Sequence, residues 1–223
     1  MARWTFAGVL ALAAALRLWQ LEQNGYGREY YAAGVRSMLG SVHNFFFNAF
    51  DPAGFVSLDK PPVALWMQVA SAKTLGFSAF SVMLPQVLEG LVCVALVHHL
   101  VRRRFGRGAA LVAALLLALT PISVAADRSN NTDSCLIMVL LFAAWALIRA
   151  AETASLRLLA LAMALVGVAF NVKMAAALVV VPTFGLAYLC GATAIAARRK
   201  VLHLAVAAGA LVVVSLSWVT AFD

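Results

Sequence analysis

Long apolar stretches recur along almost the whole chain and constrain its fold more than any other feature. A membrane-spanning helix needs about 20 consecutive, mostly apolar residues, and 64% of these 223 residues are hydrophobic, with a mean hydropathy of +0.94. The sequence therefore predicts an all-α, polytopic membrane protein and excludes a soluble globular domain. The segment 157–196 is also open to interpretation as one re-entrant hairpin. The predicted spans are 4–21, 80–101, 109–126, 134–150, 157–172, 174–196 and 201–221.

The net charge of +8 is distributed in a way that argues against nucleic-acid binding. Basic residues collect in every second loop between the predicted spans, which is the positive-inside pattern. That pattern predicts a cytoplasmic N-terminus, with these loops beside anionic membrane lipids. It also places the acidic loops, with any chemistry they carry, on the extracytoplasmic face. The basic clusters are Arg102, Arg103, Arg104 and Arg107; Arg149 and Arg157; and Arg198, Arg199 and Lys200.

The segment between the first two predicted spans, residues 22–79, is too long for a simple connector. We call it the first loop. Residues 29–39 and 61–75 each have the pattern of a short amphipathic helix, and aromatic residues lie densely between and along them. Such aromatic residues commonly anchor interfacial helices. We therefore expect both helices to lie on the extracytoplasmic surface of the membrane, with their charges facing a cavity. An alternative is that the aromatic residues pack a lid that binds no ligand.

Asp59 and Lys60 form a charged corner, because Pro61 and Pro62 follow them directly. The prolines fix their own φ and disfavour helical backbone in the residue before them, so we expect Lys60 to be extended. An ammonium fixed in this way at a membrane surface suits an anionic lipid headgroup. The alternative is an ordinary loop ion pair before a helix that begins at Pro61.

Two further clusters of polar residues follow, each at the end of a predicted membrane span. Residues 127–133, Asp-Arg-Ser-Asn-Asn-Thr-Asp, suit the orientation of a sugar hydroxyl or the binding of a metal, although loops are often polar simply because they are solvated. Residues 170–173, Phe-Asn-Val-Lys, supply a third group, although Lys173 could reach the interface without any function. Arg17 and Glu89 lie inside predicted spans, where charges are costly, so each is expected to have a partner or a polar cavity.

The order of these groups and their common side resemble glycosyltransferase family 39. The matching motifs are Glu-Tyr-Tyr-Ala at 29–32, Ser-Met-Leu at 37–39, Asp-Lys-Pro-Pro at 59–62, and the groups at 127–133 and 170–173. That family contains bacterial relatives of protein O-mannosyltransferases and of the lipid A aminoarabinose transferase. The resemblance implies a GT-C-type helical bundle with an extracytoplasmic active site. It also implies inverting transfer of a sugar from a polyprenyl-phosphate donor to a glycan, lipid or protein acceptor.

The resemblance also implies roles for individual residues. Glu29 matches an acidic residue of the first loop that acts as base on the acceptor or orients it, and Asp127 is the second catalytic candidate. Asp59 and Lys60 match residues that meet the lipid phosphate, where Lys60 would stabilise the departing negative charge. Many relatives carry an acidic residue or Asn where this chain has Arg28. The other substrate-binding candidates are Tyr31, Arg128, Asn131 and Lys173.

A divalent metal is left open as a cofactor, because the resemblance fits members with and without one and the four histidines are scattered. The chain stops at Asp223, directly after the last predicted span, so we expect it to be the N-terminal part of a longer transferase. A secondary transporter and a non-catalytic lipid-binding subunit are the alternatives. The absence of an internal repeat in the sequence disfavours the transporter.

Overall fold

The computed structural model describes residues 2–222, and every regular element in them is helical. This result confirms the all-α prediction. Asp223, from which the sequence predicts a truncated chain, lies outside the described residues. The chain divides into two compact units, residues 1–138 and residues 139–223. The α-helices are α1 Ala2–Leu18, α2 Glu29–Met38, α3 Val42–Phe46, α4 Val63–Leu75, α5 Ala79–Leu119, α6 Pro121–Asp127, α7 Asp133–Thr153, α8 Leu156–Lys173, α9 Val181–Gly191 and α10 Ala197–Phe222.

Five helical stretches in the described residues are long and apolar enough to cross a membrane. Two of them contain more than one predicted span. The helix α5 changes direction at Gly106, whose φ of 81° only glycine adopts readily, so its two arms overlap the predicted spans 80–101 and 109–126. In the fourth stretch, the 3₁₀ segment Met174–Val180 separates α8 from α9. The stretches are Trp4–Gln23, Ala79–Leu119, Asp133–Thr153, Leu156–Gly191 and Ala197–Ala221.

The second arm of α5 ends earlier than the sequence pattern suggests. Thr120 is extended, with φ −60° and ψ 115°, and α6 then begins with Pro121 at its first position. Proline disfavours helical backbone in the residue before it and is well suited to the first helical position. The apolar run 109–126 is therefore divided between two helices.

In the first unit, α1 packs against both arms of α5 through small side chains. Ala13 of α1 is fully buried with Val94 of the first arm and with Ala114 and Ala118 of the second arm. Small residues allow helix backbones to approach closely inside a membrane. This packing brings the C-terminal end of α1, which carries Arg17, next to the polar residues that follow α5.

The first loop contains the two helices that the sequence predicts, α2 and α4. They share an apolar core in which Val35, Leu65 and Val69 are buried. Trp66 stacks on Phe45, and its indole N–H donates a 2.7 Å hydrogen bond to the Phe45 carbonyl oxygen. Phe45 and Trp66 therefore pack inside the loop, whereas Phe55 is 89% exposed, and a place for the aromatic residues at a membrane surface stays a prediction.

In the second unit, α8 and α10 pack very closely at Gly167. A methyl group at that position would lie 2.8 Å from the Val214 Cβ atom. Asn171 reinforces the contact, because its amide nitrogen donates to the Gly167 and Val214 carbonyl oxygens at 3.1 and 2.8 Å. Tyr188 of α9 and His203 of α10 form a buried 2.7 Å hydrogen bond.

Candidate functional site

Two loops that lie about a hundred positions apart in the chain meet in the first unit. The Asn130 side-chain oxygen accepts from the Arg28 backbone N–H at 2.6 Å, and its amide nitrogen donates to the Arg28 carbonyl oxygen at 2.9 Å. We call this pair of bonds the Asn130 clamp. Gly27, with φ 71°, lies so close that a methyl group there would be 3.2 Å from the Asn130 oxygen. The clamp fixes the backbone immediately before α2.

Glu29 is the first residue of α2, directly after the clamped residue Arg28. A carboxylate in the first turn interacts favourably with the helix dipole. Its side chain is exposed and makes no hydrogen bond or ion pair with any other residue in the range 2–222 that the structure describes. The carboxylate is therefore available to a ligand.

The charged corner is positioned by backbone contacts. The Asp59 N–H donates to the Tyr30 hydroxyl oxygen at 3.1 Å, and the Lys60 carbonyl oxygen accepts from the Asn48 amide nitrogen at 2.7 Å. The two side chains form an ion pair and keep 52% (Asp59) and 28% (Lys60) of their surfaces exposed. The corner is thus fixed while its charges stay accessible, and the binding of a lipid headgroup there stays a prediction.

Close packing of Leu58 on α2 holds this corner against the helix. Leu58, the residue before the corner, lies directly against Gly34, where an added methyl group would be 2.4 Å from the Leu58 Cδ1 atom. Leu58 also joins the apolar core of the first loop with Val35 and Leu65. A glycine at position 34 therefore allows Asp59 and Lys60 to approach α2.

Tyr31 lies in the electrostatic field of this corner. Burial and the neighbouring Asp59 carboxylate raise the pKa of its hydroxyl, while the charges of Lys60 and Arg28 partly oppose the shift. The hydrogen bond to Asp59 raises the pKa of Lys60 above its ordinary value of 10.5. At neutral pH the site therefore holds a phenol and an ammonium, both able to donate hydrogen bonds to an anion.

Asp127 pairs with Arg17 inside the first unit, and this confirms that Arg17 has a partner. Arg17 Nε donates to Asp127 Oδ2 at 2.7 Å, and Ser134 Oγ donates to Asp127 Oδ1 at 2.6 Å. Gly90 makes the approach possible, because a methyl group there would lie 2.1 Å from Asp127 Oδ2. Both carboxylate oxygens are engaged within the protein. Sequence reasoning missed this pair, although both residues stand at the same predicted membrane end.

Arg128 and Asn131 also bond within the fold. The guanidinium of Arg128 caps α1 by donating to four carbonyl oxygens at and beyond its C-terminal end. Asn131 donates to the Ala126 carbonyl oxygen and accepts from the Asp133 N–H, each at 2.8 Å. Substrate binding by these two residues stays a prediction. The carbonyls bound by Arg128 belong to Leu16, Arg17, Trp19 and Gln20.

A cavity of about 400 Å³ opens beside the Arg17–Asp127 pair. Its polar lining includes Asp127, Asp133, Ser123 and Ser134, and its remaining walls are mostly apolar. Glu89 is buried near this region, and its Oε2 atom has no hydrogen-bond partner among the residues that the structure describes. Carboxylates and hydroxyls around an apolar cavity can orient a hydroxylated ligand.

Lys173 ends α8 in the second unit. Its predicted role as a substrate-binding residue stays a prediction. Within residues 2–222, no group of three or more His, Cys, Asp or Glu side chains is arranged to hold a metal ion. The Asp59 carboxylate is paired with Lys60 instead. These residues do not fit a divalent metal site, and no chemical step is assigned to a metal.

Nearly the whole chain resembles two solved structures. The crystal structure of ArnT from Cupriavidus metallidurans in the apo state matches 97% of this chain and 41% of its own, with a TM-score of 0.73 and 23% sequence identity. The ArnT structure bound to undecaprenyl phosphate matches the same shares, with a TM-score of 0.72 and 20% identity. The likeness confirms the predicted GT-C-type membrane fold.

Sequence relatives agree with the structural match. The Bacillus subtilis (strain 168) protein named "Putative mannosyltransferase YycA" is 44% identical over 215 residues, and "Putative mannosyltransferase YkcB" is 41% identical over 210. These alignments cover 96% and 94% of this chain but only 31% and 29% of the relatives, so the chain spans under a third of their length. Residues 59–218, which are 160 of the 223, match the family described as dolichyl-phosphate-mannose-protein mannosyltransferase. The chain belongs to that family.

Proposed function

We propose that this chain forms part of a membrane glycosyltransferase that moves a sugar from a polyprenyl-phosphate donor to a glycan, lipid or protein acceptor. Family membership supports the reaction class, and one similar solved structure is that of ArnT bound to undecaprenyl phosphate. The observation that carries the proposal is the fixed, accessible ammonium of Lys60. It is paired with Asp59, whose N–H donates to the hydroxyl of Tyr30, the residue after Glu29.

The donor phosphate binds at the charged corner. The Lys60 ammonium faces the phosphate, and Tyr31 adds a neutral hydroxyl donor beside it. Asp59 fixes Lys60 through the ion pair and keeps it protonated. Negative charge grows on this phosphate as it departs, and a cation placed there in advance stabilises that charge.

Glu29 acts on the acceptor. Its carboxylate takes the proton of the acceptor hydroxyl, while the acceptor oxygen forms a bond to the anomeric carbon of the sugar. The bond between that carbon and the phosphate oxygen breaks, and the electron pair leaves with the polyprenyl phosphate. A single displacement of this kind inverts the anomeric centre, and the base contributes about 10²–10⁴-fold to its rate.

The residues at 127–131 are assigned to positioning the elements around the site. Both Asp127 oxygens already accept hydrogen bonds, so we assign it to positioning α1, α6 and α7, and it is the second candidate for the base after Glu29. Arg128 and Asn131 hold the loop that carries the Asn130 clamp. Lys173, in the second unit, stays a substrate-binding candidate that rests on the family resemblance alone.

The membrane orientation belongs to the same proposal. The basic clusters beginning at Arg102, Arg149 and Arg198 favour a cytoplasmic N-terminus and an extracytoplasmic active site. Impermeant cysteine labelling in intact cells tests this topology. Labelling at Arg104→Cys without labelling at Asp59→Cys would reverse it.

Donor binding is the direct test. Purified protein in lipid nanodiscs would be titrated with undecaprenyl phosphate, and Lys60→Ala should bind it more weakly than the native chain. Lys60→Arg should rescue only part of the affinity, because a planar guanidinium differs from an ammonium. The matched control is Lys73→Ala, which removes the same charge from the exposed face of α4. Native affinity in Lys60→Ala would disprove the donor site, and absence of transfer by the full-length protein would favour a lipid-binding subunit.

A further inference from the structure

A groove with a volume of about 630 Å³ opens beside the Asn130 clamp, where Gly27, Arg28 and Ser129 are among its lining residues. Its walls are apolar, and its lining includes two arginines. Among the described residues that line it, neither Asp59 nor Lys60 of the charged corner occurs. The residues that matter for its chemistry are Leu16, Leu119, Pro121, Val124, Arg28 and Arg128.

The two arginines of this groove differ in how their guanidinium groups are held. The four carbonyl bonds of Arg128 fix its charge at the end of α1. Arg28 is held only by its backbone, through the clamp. Its guanidinium is exposed and forms no hydrogen bond or ion pair with the residues described between 2 and 222. One fixed and one free cation therefore lie along the same groove.

The apolar walls come from helices that are apolar enough to span a membrane. Leu16 belongs to the stretch Trp4–Gln23 and Leu119 to Ala79–Leu119, and both side chains are exposed. In a bilayer such surfaces face lipid chains. The groove thus joins a lipid-facing wall to a strongly basic rim, and anionic lipid headgroups are attracted by basic residues at a membrane surface.

We propose that this groove binds a glycerophospholipid with an anionic headgroup. Its phosphate lies between Arg28 and Arg128, where Arg28 supplies a bidentate donor, and an acyl chain lies along Leu16 and Leu119. Because Arg28 immediately precedes Glu29, a bound lipid also stabilises the start of α2. This lipid site is independent of the proposed glycosyl transfer.

Binding of a fluorescent phosphatidylglycerol to purified protein in phosphatidylcholine nanodiscs tests the site. The native chain should bind phosphatidylglycerol more tightly than the equally labelled phosphatidylcholine. Arg28→Gln should weaken phosphatidylglycerol binding by about fivefold or more and leave phosphatidylcholine binding unchanged. Lys73→Gln, which removes a charge outside the groove, should change neither. Ala125→Trp, which fills the groove from an exposed position, should weaken binding while both arginines remain.

Three outcomes would overturn the proposal. The first is the lack of any preference for phosphatidylglycerol in the native chain, a result that needs no variant to fold. The second is native affinity in both Arg28→Gln and Ala125→Trp. The third is displacement of the probe by undecaprenyl phosphate in Lys60→Ala at concentrations at which phosphatidylglycerol does not compete. That result would assign the groove to the sugar donor instead.

Discussion

Arg17 and Asp127 lie 110 positions apart in the chain, yet Arg17 Nε and Asp127 Oδ2 form a 2.7 Å ion pair in which both side chains are buried. The pair joins the last turn of α1 to the end of α6. Its remaining donors and acceptors are satisfied by Ser134, Ser123 and backbone carbonyls. Removal of one partner should therefore cost much more than the pair itself contributes.

Arg17→Met is expected to lower the free energy of unfolding by about 3–5 kcal/mol, because it leaves the Asp127 carboxylate buried without its counter-charge. Thermal unfolding in detergent would measure the loss. The double variant Arg17→Met with Asp127→Leu should be more stable than Arg17→Met alone. If Asp127→Asn instead abolished transfer and left stability unchanged, Asp127 would be the catalytic carboxylate.

Gly90→Ala should destabilise the protein by about 1–3 kcal/mol, because its new methyl group overlaps Asp127 and forces it away from Arg17. The control is Gly108→Ala on the same helix α5, since nothing lies within 4 Å of a methyl group there. Gly108→Ala should be neutral or stabilising, as alanine favours helix over glycine. Equal stability of the two variants would contradict the close packing at Gly90.

Asn130→Ala should loosen the start of α2, because two hydrogen bonds to the Arg28 backbone are lost and each is typically worth about 1 kcal/mol. Hydrogen–deuterium exchange should become faster in residues 26–32. Ser129→Ala, in the adjacent position, is the control and should exchange like the native chain. Unchanged protection in Asn130→Ala would mean that other contacts hold this segment.

Glu29→Gln in the full-length enzyme should slow sugar transfer by about 10²–10⁴-fold, because the amide keeps the size of the side chain and removes the base. Donor binding at Lys60 should be unchanged. Glu22→Gln is the matched control, because a glutamine oxygen can still accept from the Phe80 N–H. Near-native turnover by Glu29→Gln would move the base elsewhere, with Asp127 next.

Lys60 should keep its charge in alkaline solution. The hydrogen bond to Asp59 raises its pKa above 10.5, so the stabilisation from the protonated form is present below the ordinary pKa and is lost only as pH rises through the raised one. Binding of undecaprenyl phosphate should therefore not fall through loss of this charge between about pH 7 and about pH 9. With Asp59→Asn, the fall at high pH should begin earlier. Identical pH profiles would show that Asp59 does not tune Lys60.

Much of the fold could be predicted from local pattern. The length of the apolar stretches predicts the membrane-spanning helices, and the amphipathic spacing of residues in the first loop predicts α2 and α4. The ends of helices were harder, because Gly106 and Thr120 interrupt apolar runs without changing their hydropathy. Backbone conformation at single residues decides such breaks, and composition does not record it.

The site was predictable only in part for a similar reason. The charged corner at Asp59 and Lys60 is predictable because charge and proline stand together in the sequence. The contacts of Asp127 with Arg17 and of Asn130 with Arg28 join residues about a hundred positions apart. Their pairing depends on how α1 packs between the arms of α5, which no local motif reveals.

The Asn130 clamp has a consequence for how this enzyme family can diversify. Both of its bonds are made to the peptide groups of Arg28, and neither involves the arginine side chain. Any residue other than proline, which has no N–H to donate, could occupy position 28 and leave Glu29 in the same place. Ligand preference can therefore drift at position 28 while the neighbouring carboxylate keeps its geometry. The arginine side chain in this chain is therefore available for ligand binding without any part in the clamp.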